Sequence, residues 1–325
     1  MAFNQGCRAL VPRDSSVDPR YLSYALQSSS DKLAAAAQGT TFVELSSSGL
    51  AQIQIPWSNE EAQRTIADYL DHETAEIDSL VENLREFKDL LDETLHARRN
   101  ELFRPFVGLD SSDLRGGLLE RDERAGSTAS PEDLLSVSIV GGVSRWADKG
   151  EVEAKSDSLG KYKRVLRNDL VLNRMRAFQG GIGVSRWDGI TSPDYAVLAA
   201  QDGLLPEFAE LLIKSERFLF EIRRRLRGIG GESSSQVRTP RISVTELVRI
   251  PVSLPSGTKQ REVLDEWKTF SRYVAAETSD AERAITLAHE RRAALISATV
   301  TGQIDVTQKH RPVAEQLEDE VRQLR

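Results

Sequence analysis

The chain has one cysteine, two methionines and few aromatic residues, 6% in all, and no apolar run near the roughly 18 to 20 residues needed to span a bilayer. The lone Cys7 excludes an intramolecular disulfide and a zinc–thiolate cluster. The start "MAFNQGCRALVPRD" lacks the basic and apolar regions of a secretory leader, so the expectation is a cytoplasmic protein. The four histidines, His72, His96, His289 and His310, show no metal-ligand spacing. No Asn-Pro-Pro-aromatic signature of a methyltransferase is present. "FQGGIG" (178–183) lacks both a P-loop lysine and a third Rossmann glycine and reads as a tight turn. Glu153-Ala154-Lys155, with Asp133 or Asp148 upstream, imitates a metal-dependent nuclease core, but such triplets arise by chance in a charged chain.

What the chain does have is charge, 29% of 325 residues with a net −7, unevenly placed. A strongly acidic balance argues against nucleic acid, yet the acids concentrate in 60–93 and in the terminal "EQLEDE". Between Lys161 and Arg186 the sign reverses: Lys161, Lys163, Arg164, Arg167, Arg174, Arg176 and Arg186 face only Asp169 along the sequence.

The acidic stretch reads as a long helix, capped by Ser58 or Asn59, with Glu60 and Glu61 at its positive end and Pro105 beyond its close. Leu70, Ile77, Leu84 and Leu91 recur every seventh residue, with Ile66, Leu80 and Phe87 between them, a coiled-coil seam. A second helix over about 260–299 has the candidate seam Trp267, Val274, Ala281, Ala288 and Leu295, flanked by Val263 and Phe270. An offset of 197 residues lays the second seam on the first and Gln260-Arg261 on Gln63-Arg64. The helices are copies.

The repeat extends upstream. "DPRYLSYAL" resembles "LPEFAELLI", with Pro19 and Pro206 in first turns at an offset of 187, and "LAQIQIP" resembles "ELVRIP" at 195. The second copy therefore has a longer loop, which includes "RGIGGESSSQVR". Short β-like runs, "LLSVSIV", "YKRVL", "DLVLNRM", "GIGVSRW" and "YAVLAA", follow a Gly- and Ser-rich linker. The expected fold class is α+β (mixed α/β): a small sheet with helices, joined to two long helices in an antiparallel coiled coil. In that pair Ala281, Ala284 and Ala288 would leave room for Leu84, Phe87 or Leu91.

"IPWSNEEAQRTIADYLDHETAEIDSLV", "NRMRAFQGGIGVSRWDGITSPDYAVL" and "RRAALISATVTGQIDV", in this order, resemble the specificity subunit of type I restriction-modification enzymes. The resemblance implies a non-catalytic DNA-binding protein that directs methyltransferase (modification) and restriction/translocase subunits to a bipartite target, for DNA methylation and defence against foreign DNA. S-adenosylmethionine, ATP and Mg would sit on those partners. It also implies a division into a remnant of a first target-recognition domain (1–57), a first conserved helix (58–104), linker and second recognition domain (105–256), a second helix (257–300) and a tail (301–325). The first reader is expected to be truncated. In that family the helix pair acts as a ruler, and at about 1.5 Å per residue some 40 residues extend roughly 60 Å. The alternative is a scaffold that binds methyltransferase subunits and reads nothing.

For DNA contact the candidates are Lys161, Lys163, Arg164, Arg174, Arg176, Gln179 and Arg186, and a loop with Ser234, Ser235, Gln236, Arg238 and Arg241. Arg can give guanine two hydrogen bonds and Gln can do so for adenine, whereas Lys and Ser more often hold phosphate. "RRRLR" (223–227) can grip phosphate or face solvent.

Overall fold

The computed structural model describes residues 7, 9–37, 45–126, 129–149, 159–201, 203–226 and 240–306. The chain divides into two compact units, Met1–Leu90 with Glu277–Arg325, and Leu91–Ala276. Ser234, Ser235, Gln236 and Arg238, and the Glu153-Ala154-Lys155 triplet, lie outside the described residues. Among the described residues no helix is long and apolar enough to cross a membrane.

The described part of the first unit is helical: α1 (Pro19–Gln27), α2 (Ser30–Ala36), α3 (Ser47–Ala51), the opening of α4 (Glu60–Phe103) and the end of α8 (Gly257–Val300). Asp18 caps α1, its carboxylate accepting from the Arg20 and Tyr21 amides, and Pro19 fills the position where no amide is needed. Asn59 caps α4 through the Ala62 amide at 2.9 Å. Tyr21, Tyr24 and Ala25 bury against Ile66, Ala67 and Leu70 of α4 and Ile296 and Val300 of α8. Further along, Ile77 and Val81 meet Ala288, so large meets small there. Asp78 pairs with Arg292 at 3.0 Å and Lys88 with Glu282 at 2.6 Å. Numbers that rise on α4 meet numbers that fall on α8, so the helices are antiparallel.

Burial corrects the expected seam. On α4 the inward residues Gln63, Ala67, Leu70, Thr74, Ile77 and Val81 alternate four and three apart, and Leu91 is buried ten residues further on. Leu80 and Phe87 are not in it, being 51% and 41% exposed. Ile66 is buried in the cluster that holds both α1 and the end of α8, and Val263 joins the sheet core of the second unit. The intermediate heptad layer is filled by Thr74 and Lys88 on α4 and by Ser271, Thr278 and Arg292 on α8, so hydrophobicity alone picked the wrong neighbours. Leu84, Trp267, Phe270 and Leu295 are half-buried; Val274, Ala281 and Ala288 are buried.

In the second unit a four-stranded antiparallel sheet runs β2 (Leu118–Arg121), β9 (Tyr195–Ala200), β6 (Leu170–Asn173), β7 (Ile182–Val184). Three two-stranded pairs accompany it: β1 (Val107–Asp113) with β10 (Pro251–Val252), β3 (Leu135–Ser138) with β4 (Gly142–Arg145), and β5 (Lys163–Val165) with β8 (Gly189–Thr191). The sheet is covered on both faces, which is why β6 and β9 read as unbroken apolar runs. Leu170, Leu172, Ala196 and Leu198 meet a helical layer that includes α5 (Pro206–Ile213), α6 (Glu216–Arg225) and α7 (Val244–Val248), with Phe103, Val263 and Leu264 of the long helices. Val171 and Val197 meet Val165, Leu135, Val137 and Val143 on the other side.

The repeat is visible in hydrogen bonds. Buried Gln63 accepts from the Asp18 amide at 2.9 Å and donates to the Ser58 carbonyl at 2.8 Å. Buried Gln260 accepts from the Leu205 amide at 2.8 Å and donates to the Gly203 and Pro255 carbonyls at 2.6 and 2.9 Å. Each glutamine ties the start of a short helix to the start of a long one. Ser46 and Ser243 cap α3 and α7 alike. These pairs are all 197 apart from the serines onward, so the offset of 195 drawn from Pro56 and Pro251 is two residues out of register. "LAQIQIP" is not a strand either: β10 has β1 to pair with, and no described segment of the first unit supplies an equivalent partner.

Gln260→Leu strands the Leu205 amide and two carbonyls in a buried site, so urea unfolding should show a loss of about 1–3 kcal/mol or more. Val81→Asp should unfold the helix pair at much lower urea than Leu80→Asp, which should stay within about 0.5 kcal/mol of the parent.

Candidate nucleic-acid interface

The single basic stretch of the sequence becomes three separate environments in the second unit. The β5 part is neutralised. Lys163 is 4% exposed, and its ammonium lies 3.0 Å from Asp122 and 3.3 Å from Glu120. A buried, doubly paired lysine is not offered to a phosphate, so its assignment as a DNA contact is corrected. The Lys163 ammonium in turn holds the Asp122 carboxyl below its ordinary range. Arg164 is exposed but pairs with Glu123 at 3.0 Å. Lys161 is exposed, and its carbonyl accepts from Arg124 at 2.9 Å.

The turn between β6 and β7 is different. Asn173 ends β6 and folds its side chain over the turn, accepting from the Met175 and Arg176 amides at 3.1 and 3.3 Å and donating to the Tyr195 hydroxyl at 3.3 Å. The Gly181 amide donates to the Arg176 carbonyl at 3.0 Å, and Gly180 takes a φ of +86°. A Cβ on Gly181 would lie 3.0 Å from Arg176. The glycines thus close a tight turn and present Arg174, Arg176 and Gln179 outward. Arg176 and Gln179 are exposed.

Arg241 joins this turn from far along the chain. The Ile242 amide donates to the Arg174 carbonyl at 3.3 Å, and Arg241 reaches the Met175 sulfur at 3.8 Å. Asp194, just before β9, faces both arginines: Arg174 Nε donates to its carbonyl at 2.9 Å, and Arg241 pairs with its carboxylate at 3.3 Å. Burial pushes the neighbouring Tyr195 hydroxyl up, with the Arg176 charge opposing and Asp194 reinforcing that shift. Arg174 and Arg241 are therefore both tied to Asp194, one at its carbonyl and one at its carboxylate, with Arg176 on the same turn as Arg174.

Arg186 lies at the opposite end of the β6–β7 hairpin. It lines a groove of about 670 Å³ with Arg167, Trp187, Glu210, Lys214 and Lys268. Glu210 accepts from the Val184 amide at 2.9 Å and from Lys214 at 2.7 Å, and Arg145 stacks over Trp187 at 5.4 Å. In the "RRRLR" run, Arg224 and Arg225 both pair with Glu221. Asn173, Asp194 and Tyr195 escaped the sequence reading; the Asn before the Arg-Met-Arg turn was the available signal.

Residues 1–86 match the family model of the type I restriction modification DNA specificity domain. The type I restriction enzyme MjaIX specificity subunit of Methanocaldococcus jannaschii is 34% identical over 94 residues, 28% of this chain and 21% of that protein, so the match spans about a fifth of the relative's length. A solved structure titled for complex assembly and conformational transition of the type I R-M system covers 89% of this chain and 72% of its own, with a TM-score of 0.53 at 15% identity, a likeness of fold. The HsdS subunit from Thermoanaerobacter tengcongensis covers 89% and 71%, with a TM-score of 0.48 at 14% identity. The first 86 residues are thus similar to a DNA specificity domain. The particular class they resemble is that of the type I restriction-modification systems.

Lys163→Ala should lower the urea midpoint because it removes a buried cation that pairs with Glu120 and shares Asp122 with Arg124. Arg176→Ala and Gln179→Ala should leave it within about 0.5 kcal/mol.

Proposed function

We propose that this chain reads DNA sequence for a type I restriction-modification complex and has no catalytic step of its own. The observation that carries this is the β6–β7 turn, which holds Arg174 and Arg176 beside Arg241 on a hydrogen-bonded frame, in a chain whose first 86 residues match a type I specificity domain. A rigid turn bearing arginines suits the major groove, where each guanidinium can give guanine two hydrogen bonds, worth about 1–3 kcal/mol of discrimination apiece. The net charge of −7 is no obstacle, since the acids cluster away from this turn in sequence.

In this reading the helix pair of the first unit docks methyltransferase subunits, and a restriction/translocase subunit joins the complex. S-adenosylmethionine, ATP and Mg belong to those subunits. Leu80 and Phe87, seven apart and so on one side of α4, are exposed, as is Leu287 on α8. Large apolar side chains on a stable helix pair favour a protein partner, and the acids beside them would repel DNA.

The test is reconstitution with the modification subunits and mapping of methylated sites. The parent complex should methylate one sequence. Arg174→Ala with Arg176→Ala should abolish methylation of that sequence while the complex still elutes intact; unchanged methylation overturns the reading. Leu80→Asp with Phe87→Asp should abolish co-elution without loss of helical circular dichroism, and retained assembly would overturn the docking surface.

A further inference from the structure

Asp194 puts a negative charge beside the arginines proposed to read DNA. It sits in the turn between β8 and β9, where the Asp194 amide donates to the Ser192 hydroxyl at 3.3 Å and the Tyr195 amide to the Ser192 carbonyl at 3.0 Å. Tyr195 pairs with Asn173 in the β6–β9 register, which brings this turn beside the arginine turn. The Asp194 carboxylate is half exposed and pairs with Arg241, which is half exposed too. The same residue's carbonyl fixes Arg174.

We infer that Asp194 is a specificity-determining positioning residue: it holds Arg174 and Arg241 in their presented geometry and, by its charge, discourages capture of unrelated DNA backbone. The inference rests on the proposed reading of DNA by this turn. A carboxylate paired with Arg241, on a residue whose carbonyl also holds Arg174, lowers the local cationic charge, and non-specific binding depends almost wholly on that charge. Base-edge hydrogen bonds depend on geometry instead, so the carboxylate weakens indiscriminate binding more than correct binding. The Arg174 contact runs to the backbone carbonyl and survives replacement of the side chain.

The experiment uses the reconstituted methyltransferase complex and two labelled duplexes, one carrying its methylated sequence and one with that sequence shuffled, over a range of salt. Asp194→Asn should tighten binding to the shuffled duplex by roughly threefold to tenfold and steepen its log–log salt dependence by up to about one. Binding to the target should change less, so discrimination falls. Equal discrimination in parent and variant overturns the inference and leaves the reading of DNA intact. A variant that methylates a new sequence altered at one position also overturns it, because Asp194 would then be contacting a base. If the parent itself binds both duplexes alike, the reading fails and the inference with it. Asp194→Glu should recover most of the parent's discrimination, which a merely structural turn residue would not require.

Discussion

The inward layer of the two long helices is built from residues that either pack closely or carry a specific hydrogen bond. Leu70, Ile77 and Val81 bury apolar surface worth about 1.5–3 kcal/mol each, while Gln63 and Gln260 spend their amides on the backbone at the start of α1 and α5. Packing between the helices and anchoring of the short helices thus fall on the same faces. In the second unit the sheet depends on this arrangement as well, since Phe103, Val263 and Leu264 of the long helices contribute to the core that covers one of its faces.

Around that frame the molecule separates supportive charge from available charge. Lys163 is enclosed and paired, and Arg224 and Arg225 are held by one glutamate. Arg174 and Arg176 instead sit on a turn whose own hydrogen bonds end at Asn173, with Arg241 beside it. An arginine on such a base loses little further freedom when it meets a ligand, which favours selective over indiscriminate contact.

Much of the fold was legible because it is written locally. Seven-residue spacing marks both long helices, the strand runs of β3, β5, β6, β7 and β9 fall where alternating and unbroken apolar segments stand, and the 197-residue offset survives into the hydrogen bonds of Gln63 and Gln260. The seam was only half legible, because Thr74, Lys88, Ser271 and Arg292 occupy layer positions that a search for apolar residues passes over. Leu80 and Phe87 were drawn in wrongly for the same reason.

The basic stretch shows where sequence reasoning stops. Along the chain only Asp169 opposes the cations between Lys161 and Arg186, but a bridge between Arg124 and Lys163 brings Glu120, Asp122 and Glu123 of the β2 region against Lys163 and Arg164. Sequence alone determined the two copied helices, their heptads and the order of strands, since each depends on side chains a few residues apart. Which cations remain free, and that Arg241 and Asp194 meet Arg174, was decided only by tertiary structure, because ion pairing acts through distances across the sheet that no spacing along the chain records.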